Sequence, residues 1–352
     1  MKFNPSIQKQ AIEVIFSSKY KKPNHPPLTF NVIPVARKSS TKHLGVVLDE
    51  RLTFREYVKE AIEKAKKGLA LMKFLSKNVT SSILEMYVRP HLDYGDVIYH
   101  DQASNMMTLL ESIQYQAGLI ITKCWKGTNR SKLYKELGWE SLSQRRVSRR
   151  FALYYKIKNN LTPEYLKSYI HPFKENSTTR FKNYLFPFCA QGWESLSDAP
   201  KNATTLNRFK TLLKNEIVPP KRGYFKIDDI FGIRLLTKLR VDFSDLREHR
   251  FNHKFINCPS PICKCSTEEE STEHFFVRCP LYASQRNTLL HSMSTIFKND
   301  ISILPDAHLV QLLLYGSKSY NCISNKMILE ASISYIKSTK RFVKIEAFAK
   351  NT

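Results

Sequence analysis

Four cysteines and one histidine lie within the stretch CPSPICKCSTEEESTEHFFVRC, residues 258–279. A segment this short cannot bury a hydrophobic core of its own, and zinc held by four cysteine or histidine ligands is a common substitute. The candidate ligands are Cys258, Cys263, Cys265, His274 and Cys279. The chain has seven cysteines, an odd number, so their clustering favours a metal site over a disulfide framework.

Spacing divides these candidates into two pairs and one extra residue. Cys263 and Cys265 can approach a metal from a tight turn, and His274 and Cys279 can approach it from a helical segment. Cys258 is set apart by two prolines, so we expect it to be the extra cysteine. Four protein ligands leave no open position, which predicts structural rather than catalytic zinc. The alternative is a group of unrelated buried thiols, which are common as small hydrophobic side chains.

The net charge restricts the class of partner. Lys and Arg outnumber Asp and Glu by 56 to 31, which gives a charge of +25. Such an imbalance favours nucleic acid as the partner, with an anionic membrane surface as the second choice. The sequence has no apolar run of about 18 residues and no N-terminal signal-peptide pattern, so we expect neither a membrane span nor secretion. The nucleus or the cytoplasm is the expected location.

Hydrophobic periodicity predicts a mainly α-helical chain with a small N-terminal β region, in an α+β arrangement. We expect a helical bundle followed by a small zinc-stabilised region. The predicted segments are strands in 1–54, a helical domain in 55–170, an aromatic and proline-rich connector in 171–225, the cysteine region in 226–291 and a helical tail in 292–352.

Several helices can be placed within these segments. One apolar stripe is formed by Val58, Ile62, Ala65, Leu69 and Met72. Further helices are predicted over Ser82–Tyr99, Asn105–Lys123, Ser143–Lys158 and Leu206–Glu216. Ser141 with Gln144 fits a capping box, and Thr162 before Pro163 fits a helix start.

The densest basic region lies between Ile121 and Lys158, where eleven Lys or Arg face two Glu. The residues predicted to contact nucleic acid are Arg145, Arg146, Arg149, Arg150, Lys156 and Lys158. Tyr155 and Trp139 are close enough in sequence to stack on bases. The alternative is a solvated helix face whose arginine stems cover apolar neighbours.

Acidic residues do not form a recognisable catalytic set. Asp228 and Asp229 are adjacent, but no third aspartate is matched to them, so we expect them to be loop or cap residues. Asp93 and Asp96 are expected to be structural as well. The sequence also lacks a phosphate-binding G-x-x-x-x-G-K-[ST] loop and a G-x-S-x-G elbow. We therefore predict no catalytic residue in this chain.

Several phrases, in order, resemble one family. They are MKFNPSIQKQAIEVIFSSK, TKHLGVVLDERLTF, YVRPHLDYGDVIYH, LYKELGWESLSQRRVSRRFALYYKIKNNLTPEYL, LREHRFNHKF and STEHFFVRCPLYASQR. Together they look like the C-terminal part of reverse transcriptases from non-LTR retrotransposons of the jockey or LINE-like kind. The resemblance runs from the first residue to about Phe342.

This resemblance implies that the first segment is the end of a polymerase palm and that the helices after it form a thumb. It also implies a CCHC zinc site at Cys263, Cys265, His274 and Cys279, and RNA or DNA, such as an RNA–DNA hybrid, as the partner. The family's polymerase motif, an aromatic residue, any residue and two aspartates, is absent here. The sequence therefore predicts a truncated polymerase that is inactive alone and requires Mg only where a palm is supplied.

Two other functions fit the same residues. The chain can be a host-used, zinc-dependent interaction module in which the thumb helices bind a protein partner. It can also be a non-functional relic that folds poorly, because the three or four strands expected in 1–54 have lost their partner sheet.

Overall fold

The computed structural model describes residues 11–17, 26–30, 32–75, 84, 86–99, 104–170, 185–217, 227–296, 304–317 and 319–342. The chain divides into two compact units, and each unit combines two stretches of sequence. The first contains Met1–Ala117 and Glu140–Val218, and the second contains Gly118–Trp139 and Pro219–Thr352. The five-segment division given above stays a prediction.

Short strands open the first unit. Within the described residues they are β1 (Ile12–Glu13), β2 (Thr29–Phe30), β3 (Ile33–Pro34), β4 (Ala36–Arg37), β5 (Ser40–His43) and β6 (Val46–Asp49). β1 pairs with β4 in parallel, whereas β2–β3 and β5–β6 are antiparallel. Leu44 and Gly45 connect β5 to β6 with φ values of 46° and 81°. Two positive φ values suit a two-residue hairpin because they match the twist of the strands.

The carboxylate of Asp49 connects this hairpin to the first long helix, α1 (Arg55–Phe74). Its oxygens accept hydrogen bonds from the backbone amides of Thr53 at 3.0 Å and Phe54 at 2.8 Å. Burial acts to raise the pKa of Asp49, but these hydrogen bonds outweigh burial and the pKa lies below its ordinary value. Asp49 therefore caps the turn that leads into α1.

Helix α1 confirms the predicted apolar stripe. The buried positions include Val58, Ile62, Ala65, Leu69 and Met72. On the exposed face Lys64 Nζ lies 3.7 Å from Glu60 Oε2 and forms an i,i+4 ion pair. Tertiary burial of one face, rather than this exposed pair, accounts for most of the helix's stability.

The next helices with printed bounds in the described residues are α2 (Arg89–Asp93), α3 (Ser104–Thr122), α4 (Arg130–Leu137) and α5 (Leu142–Lys158). The start of α5 confirms the capping box. Ser141 Oγ accepts from the Gln144 amide at 3.2 Å, and Gln144 Oε1 accepts from the Ser141 amide at 2.9 Å. This reciprocal pair satisfies two amides that have no partner within the helix.

The core of the first unit includes an aromatic group around α5. The helices that pack on α5 are α6 (Leu185–Ser195) and α8 (Leu206–Ile217), with the short α7 (Asp198–Lys201) between them in sequence. The ring of Tyr155 stacks on Phe209 with centroids 4.5 Å apart, and Trp193 stacks on Phe209 at 5.6 Å. Tyr155 also donates a hydrogen bond to the Ala203 carbonyl at 2.7 Å, so its polar group is satisfied.

The second unit has a larger apolar core. Its later helices are α9 (Ile230–Arg240), α10 (Arg247–Asn252), α11 (Ala283–Ile296), α12 (Asp306–Tyr315) and α13 (Cys322–Ser338). Leu236, Met293, Leu313 and Ile328 are among the fully or almost fully buried residues that join these helices. Helices α12 and α13 therefore contribute to the core of this unit.

The structure differs from some helix predictions. The helix expected over Ser82–Tyr99 ends earlier than predicted: among the described residues, 84, 86–87 and 89–93 are helical, and Tyr94 is extended. Pro163 precedes a 3-10 turn, Glu164–Tyr169, instead of starting an α-helix. Helix α6 was missed because Pro187 and Gly192, which usually interrupt helices, lie within it.

The mainly helical class with a small β region is confirmed. Among the described residues, no helix has the length and apolarity required to cross a bilayer.

Gly68 allows the closest backbone approach in α1 and provides a test of this packing. A Cβ built there lies 2.4 Å from the backbone carbonyl oxygen of Tyr87. Alanine is the better helix former by about 1 kcal/mol, but overpacking costs about 1–3 kcal/mol. We expect Gly68→Ala to lower the free energy of unfolding in denaturant titrations. The control Ala70→Gly lies at an exposed position of α1. It should lower the free energy of unfolding only by the difference in helix propensity, about 1 kcal/mol. A Gly68→Ala protein that is more stable than the wild type would contradict this packing.

Candidate functional site

A small hairpin at residues 261–270 holds the first two candidate ligands. Ile262 and Glu269 form an antiparallel bridge, and the Cys263 amide donates to the Glu268 carbonyl at 2.9 Å. Ser266 has a φ of 64°, and its amide donates to the Cys263 carbonyl at 2.9 Å. The chain therefore reverses tightly after Cys265, as the spacing of the two cysteines predicted.

The other two candidates lie on a single π-helical turn, His274–Arg278. The Cys279 amide donates to the His274 carbonyl at 2.8 Å, a bond between residues five apart. Ser271 Oγ accepts from the His274 amide at 3.0 Å and fixes the start of the turn. Because a π turn closes over five residues, it brings His274 and Cys279 together where an ordinary α-helix would separate them.

The four predicted ligands converge. The ligand atoms of Cys263, Cys265, His274 and Cys279 all lie within 4.8 Å of one another. The two sulfurs of Cys263 and Cys279 are 3.8 Å apart, and Cys265 Sγ lies 3.3 Å from His274 Nε2. A tetrahedral zinc ion places two sulfurs about 3.8 Å apart and a sulfur and a nitrogen about 3.5 Å apart. The donor atoms and their spacing therefore fit zinc.

Glu268 determines which nitrogen of His274 can bind a metal. Its Oε1 lies 2.9 Å from His274 Nδ1, and the same carboxylate accepts from Arg278 Nε at 2.9 Å. Hydrogen bonds from Arg278 and then His274 lower the pKa of Glu268 to about 2. An ionised carboxylate at Nδ1 keeps the proton there and leaves the lone pair of Nε2 for the metal.

The three thiols differ in acidity. Burial raises the pKa of Cys263 to about 12 and also raises that of Cys279. Burial acts in the same direction on Cys265, but hydrogen bonds involving Thr267 outweigh it and lower the pKa of Cys265 to about 6. A bound cation adds its own charge to this balance and favours the thiolate form of all three cysteines.

Cys258 lies outside the four-residue group, although it is buried. Its Sγ is 3.5 Å from the carbonyl oxygens of Arg247 and Ser260, which are weak thiol contacts. Sequence reasoning missed Glu268, because the loop STEEESTE contains four glutamates and nothing in the sequence distinguishes this one. In the same loop Glu270 is buried, and its Oε1 lies 2.6 Å from Arg341 Nε.

Three of the four arginines of helix α5 that were predicted to contact nucleic acid are buried. Arg145, Arg146 and Arg150 are only 9%, 4% and 1% exposed. Arg145 Nη2 binds Asp93 at 2.7 Å, and Arg146 Nη1 lies 2.9 Å from the sulfur of Met107. Burial within the first unit therefore encloses three of the four arginines that were predicted to contact nucleic acid.

The remaining predicted contact residues are more accessible. Arg149 is partly exposed, yet its guanidinium binds both Asp93, at 2.7 Å, and Asp96. Lys156 is half-buried, and Lys158 is exposed with its Nζ 5.0 Å from the ring centre of Trp193. Nucleic-acid contact through these three side chains stays a prediction.

Two residues suggested for base stacking are buried instead. Tyr155 is 2% exposed and Trp139 is 6% exposed, so neither ring presents a face to a base. Asp93 and Asp96 are structural, as expected, because they bind the arginines of α5. Asp229 is also structural: it caps α9 by accepting from the Gly232 amide at 2.9 Å.

The ion pairs of Asp93 provide a stability test. Arg145 and Asp93 have side-chain exposures of 10% and 13%, so removing the carboxylate leaves a largely buried, uncompensated charge. We expect Asp93→Ala to lower the free energy of unfolding by about 3 kcal/mol, measured by chemical denaturation. The control Glu60→Gln breaks an exposed ion pair on α1 and should change stability by less than about 1 kcal/mol. Equal effects from both variants would contradict a structural role for Asp93.

Comparisons with known proteins complete the description of the site. No protein-family model matches the chain, and no solved structure matches it significantly. A stretch of 131 residues is 28% identical to the "Probable RNA-directed DNA polymerase from transposon X-element" of Drosophila melanogaster. The match covers 35% of this chain but only 14% of that protein's length. The chain therefore contains a region related to the reverse transcriptases of non-LTR retrotransposons.

Proposed function

We propose that this chain is a nucleic-acid-binding polypeptide of reverse transcriptase origin, and that an RNA–DNA hybrid is its partner. The observation that carries the proposal is the similarity to a probable RNA-directed DNA polymerase over 131 residues. The net charge of +25 supports it, because a basic surface gains affinity for nucleic acid by releasing counterions from the phosphates. On helix α5 the proposed contact residues that are at least partly exposed are Arg149, Lys156 and Lys158.

We propose further that the residues of this chain do not catalyse nucleotide addition. Two-metal phosphoryl transfer requires converging carboxylates. Asp228 is followed by Asp229, but the latter caps α9 and pairs with Lys337. A polymerase reaction would therefore require Mg and the carboxylates of a separately supplied palm.

The Cys263, Cys265, His274 and Cys279 group is proposed to hold one structural zinc ion. Four protein donors at tetrahedral spacing leave no position for a substrate, and three of the four side chains are buried. All seven cysteines are unbridged, which supports a reducing compartment such as the nucleus or the cytoplasm.

A host-used interaction module remains a second candidate. Its support is the exposed apolar end of α1, where Phe74 is 86% exposed. A protein partner captured through this end should remain bound after nuclease treatment.

Zinc binding can be tested by removing single ligands. We expect about one zinc per chain in the wild type, measured with a chromogenic chelator after denaturation. His274→Ala and Cys279→Ala should lose the metal and lower the free energy of unfolding by at least about 2 kcal/mol. The matched control Cys258→Ala removes a buried thiol outside the group and should keep the metal. The same loss of zinc from Cys258→Ala would show that the wrong cysteine was assigned. Acidification should also release the metal, because protons compete for the thiolates.

Nucleic-acid binding can be tested by its salt dependence. We expect the full chain to retain a labelled RNA–DNA hybrid on filters at low salt. Affinity should fall about tenfold between about 50 mM and about 200 mM salt if only two phosphates are contacted, and more for a larger footprint. Lys156→Gln combined with Lys158→Gln should flatten this dependence. No binding at low salt, or binding that is indifferent to salt, would rule out the electrostatic proposal.

A further inference from the structure

Three chain reversals in the second unit bring four aromatic side chains together. The turn Trp125–Thr128 follows α3, and its Gly127 has a φ of 104°. A second reversal follows α9, where Asp242 has a φ of 54° and leads into Phe243. A third follows α10, where Lys254 has a φ of 54° and separates the last two rings of the group. The group, here called the aromatic cluster, consists of Trp125, Phe243, His253 and Phe255.

The rings of the aromatic cluster contact one another through edges and tilted faces. Trp125 and Phe255 have centroids 4.9 Å apart at an angle of 50°, and Trp125 meets Phe243 at 5.2 Å and 76°. Phe243 is buried and supports the ring of His253 at 4.0 Å. Trp125 and Phe255 are half-buried and His253 is exposed, so part of this ring surface faces solvent.

Positive charge surrounds the aromatic cluster. Lys126 follows Trp125 directly and Lys254 precedes Phe255 directly, and both lysines are exposed. Arg250 places its guanidinium carbon 5.5 Å from the ring centre of Phe255, and the buried Lys238 places Nζ 5.5 Å from the ring centre of Trp125. These cations lie close enough for cation–π contact and give the ring surface a positive potential.

Asp245 lies close enough to Lys238 and Arg250 to interact with their charges, and two further acids pair with other basic residues. Asp242 pairs with Lys132, and Glu136 pairs with the buried Arg240 at 3.3 Å. Within the described residues, neither Lys126 nor Lys254 has a carboxylate within ion-pair distance. Lys126 and Lys254, each next in sequence to a ring of the aromatic cluster, are therefore available to meet an anion.

We propose that the aromatic cluster binds single-stranded nucleic acid, with a base stacked on Trp125 or Phe255 and phosphates on Lys126 and Lys254. A strand with accessible bases fits this surface because every base offers a flat face and each nucleotide carries one charge. A duplex hides its base faces, and an acidic peptide offers charge without rings to stack. The inference rests on the proposed nucleic-acid function and assigns it a surface separate from α5.

The test uses the full zinc-loaded chain and labelled single strands of about 12 nucleotides, a length within the range bound by single-strand modules. One strand is oligoadenylate RNA, the second is the DNA of the same sequence, and the third has the same phosphates but no bases. Anisotropy titrations should show that Trp125→Ala weakens binding to the RNA or DNA strand about tenfold and leaves the abasic strand unchanged. Trp125→Phe should preserve affinity. Tyr165→Ala, which removes an exposed ring of the first unit, should have no effect.

Lysine variants test the phosphate contacts separately. Lys126→Gln and Lys254→Gln should each reduce the slope of log affinity against log salt by about 0.7, the value for one phosphate of a single strand. Zinc content and far-ultraviolet circular dichroism confirm that each variant is folded.

Each negative result of these titrations would overturn a different part of the proposal. Wild-type binding that Trp125→Ala leaves unchanged would overturn the aromatic cluster as a site while keeping the proposed function. Equal losses on the abasic strand would overturn stacking. Polyglutamate bound as tightly as RNA, with the same dependence on Trp125, would overturn nucleic acid as the ligand. A wild-type chain that binds no nucleic acid at low salt would overturn both proposals.

Discussion

The turn His274–Arg278 is the constraint on which the second unit depends, because its residues serve two environments at once. His274 and, one residue after the turn, Cys279 present candidate ligands for a metal. Between them Phe275 and Phe276 are 0% and 1% exposed and enter the apolar core. The Phe275 carbonyl also accepts a hydrogen bond from Tyr335 at 2.5 Å, which joins α13 to the turn. Geometry at the ligands and packing in the core are therefore set by the same few backbone angles.

The basic composition of the chain does not translate directly into a basic surface. Arg240 is fully buried against Glu136, Arg341 binds Glu270, and Arg145 binds Asp93. Arginine suits such positions because its planar group can satisfy several acceptors while its charge is paired. The exposed cations are more often lysines, including those on the outer face of α1 and beside the aromatic cluster. The net charge of the sequence therefore does not reveal which basic residues are exposed.

Local patterns in the sequence were sufficient for features that depend on neighbours in the chain. The apolar stripe of α1 and the capping box of α5 follow from helical spacing alone, and the four-ligand group follows from ligand type and short separations. The π turn was not predictable, because an α-helix and a π-helix bury similar residues over so short a length. The burial of Arg145 was also not predictable, because its ion-pair partner Asp93 lies 52 residues away in the sequence and no local pattern connects the two positions.

The interleaving of the two units has a consequence for the order of synthesis. Gly118–Trp139 belongs to the second unit, yet all of Glu140–Val218 is made before the rest of that unit exists. Glu136 and Trp125, which contact Arg240 and Phe243 in the complete protein, therefore lack these partners while the intervening part of the first unit is synthesised. Long-range contacts of this kind form slowly and leave apolar surface uncovered in the meantime. A nascent chain stalled before Pro219 would thus be a natural substrate for chaperones.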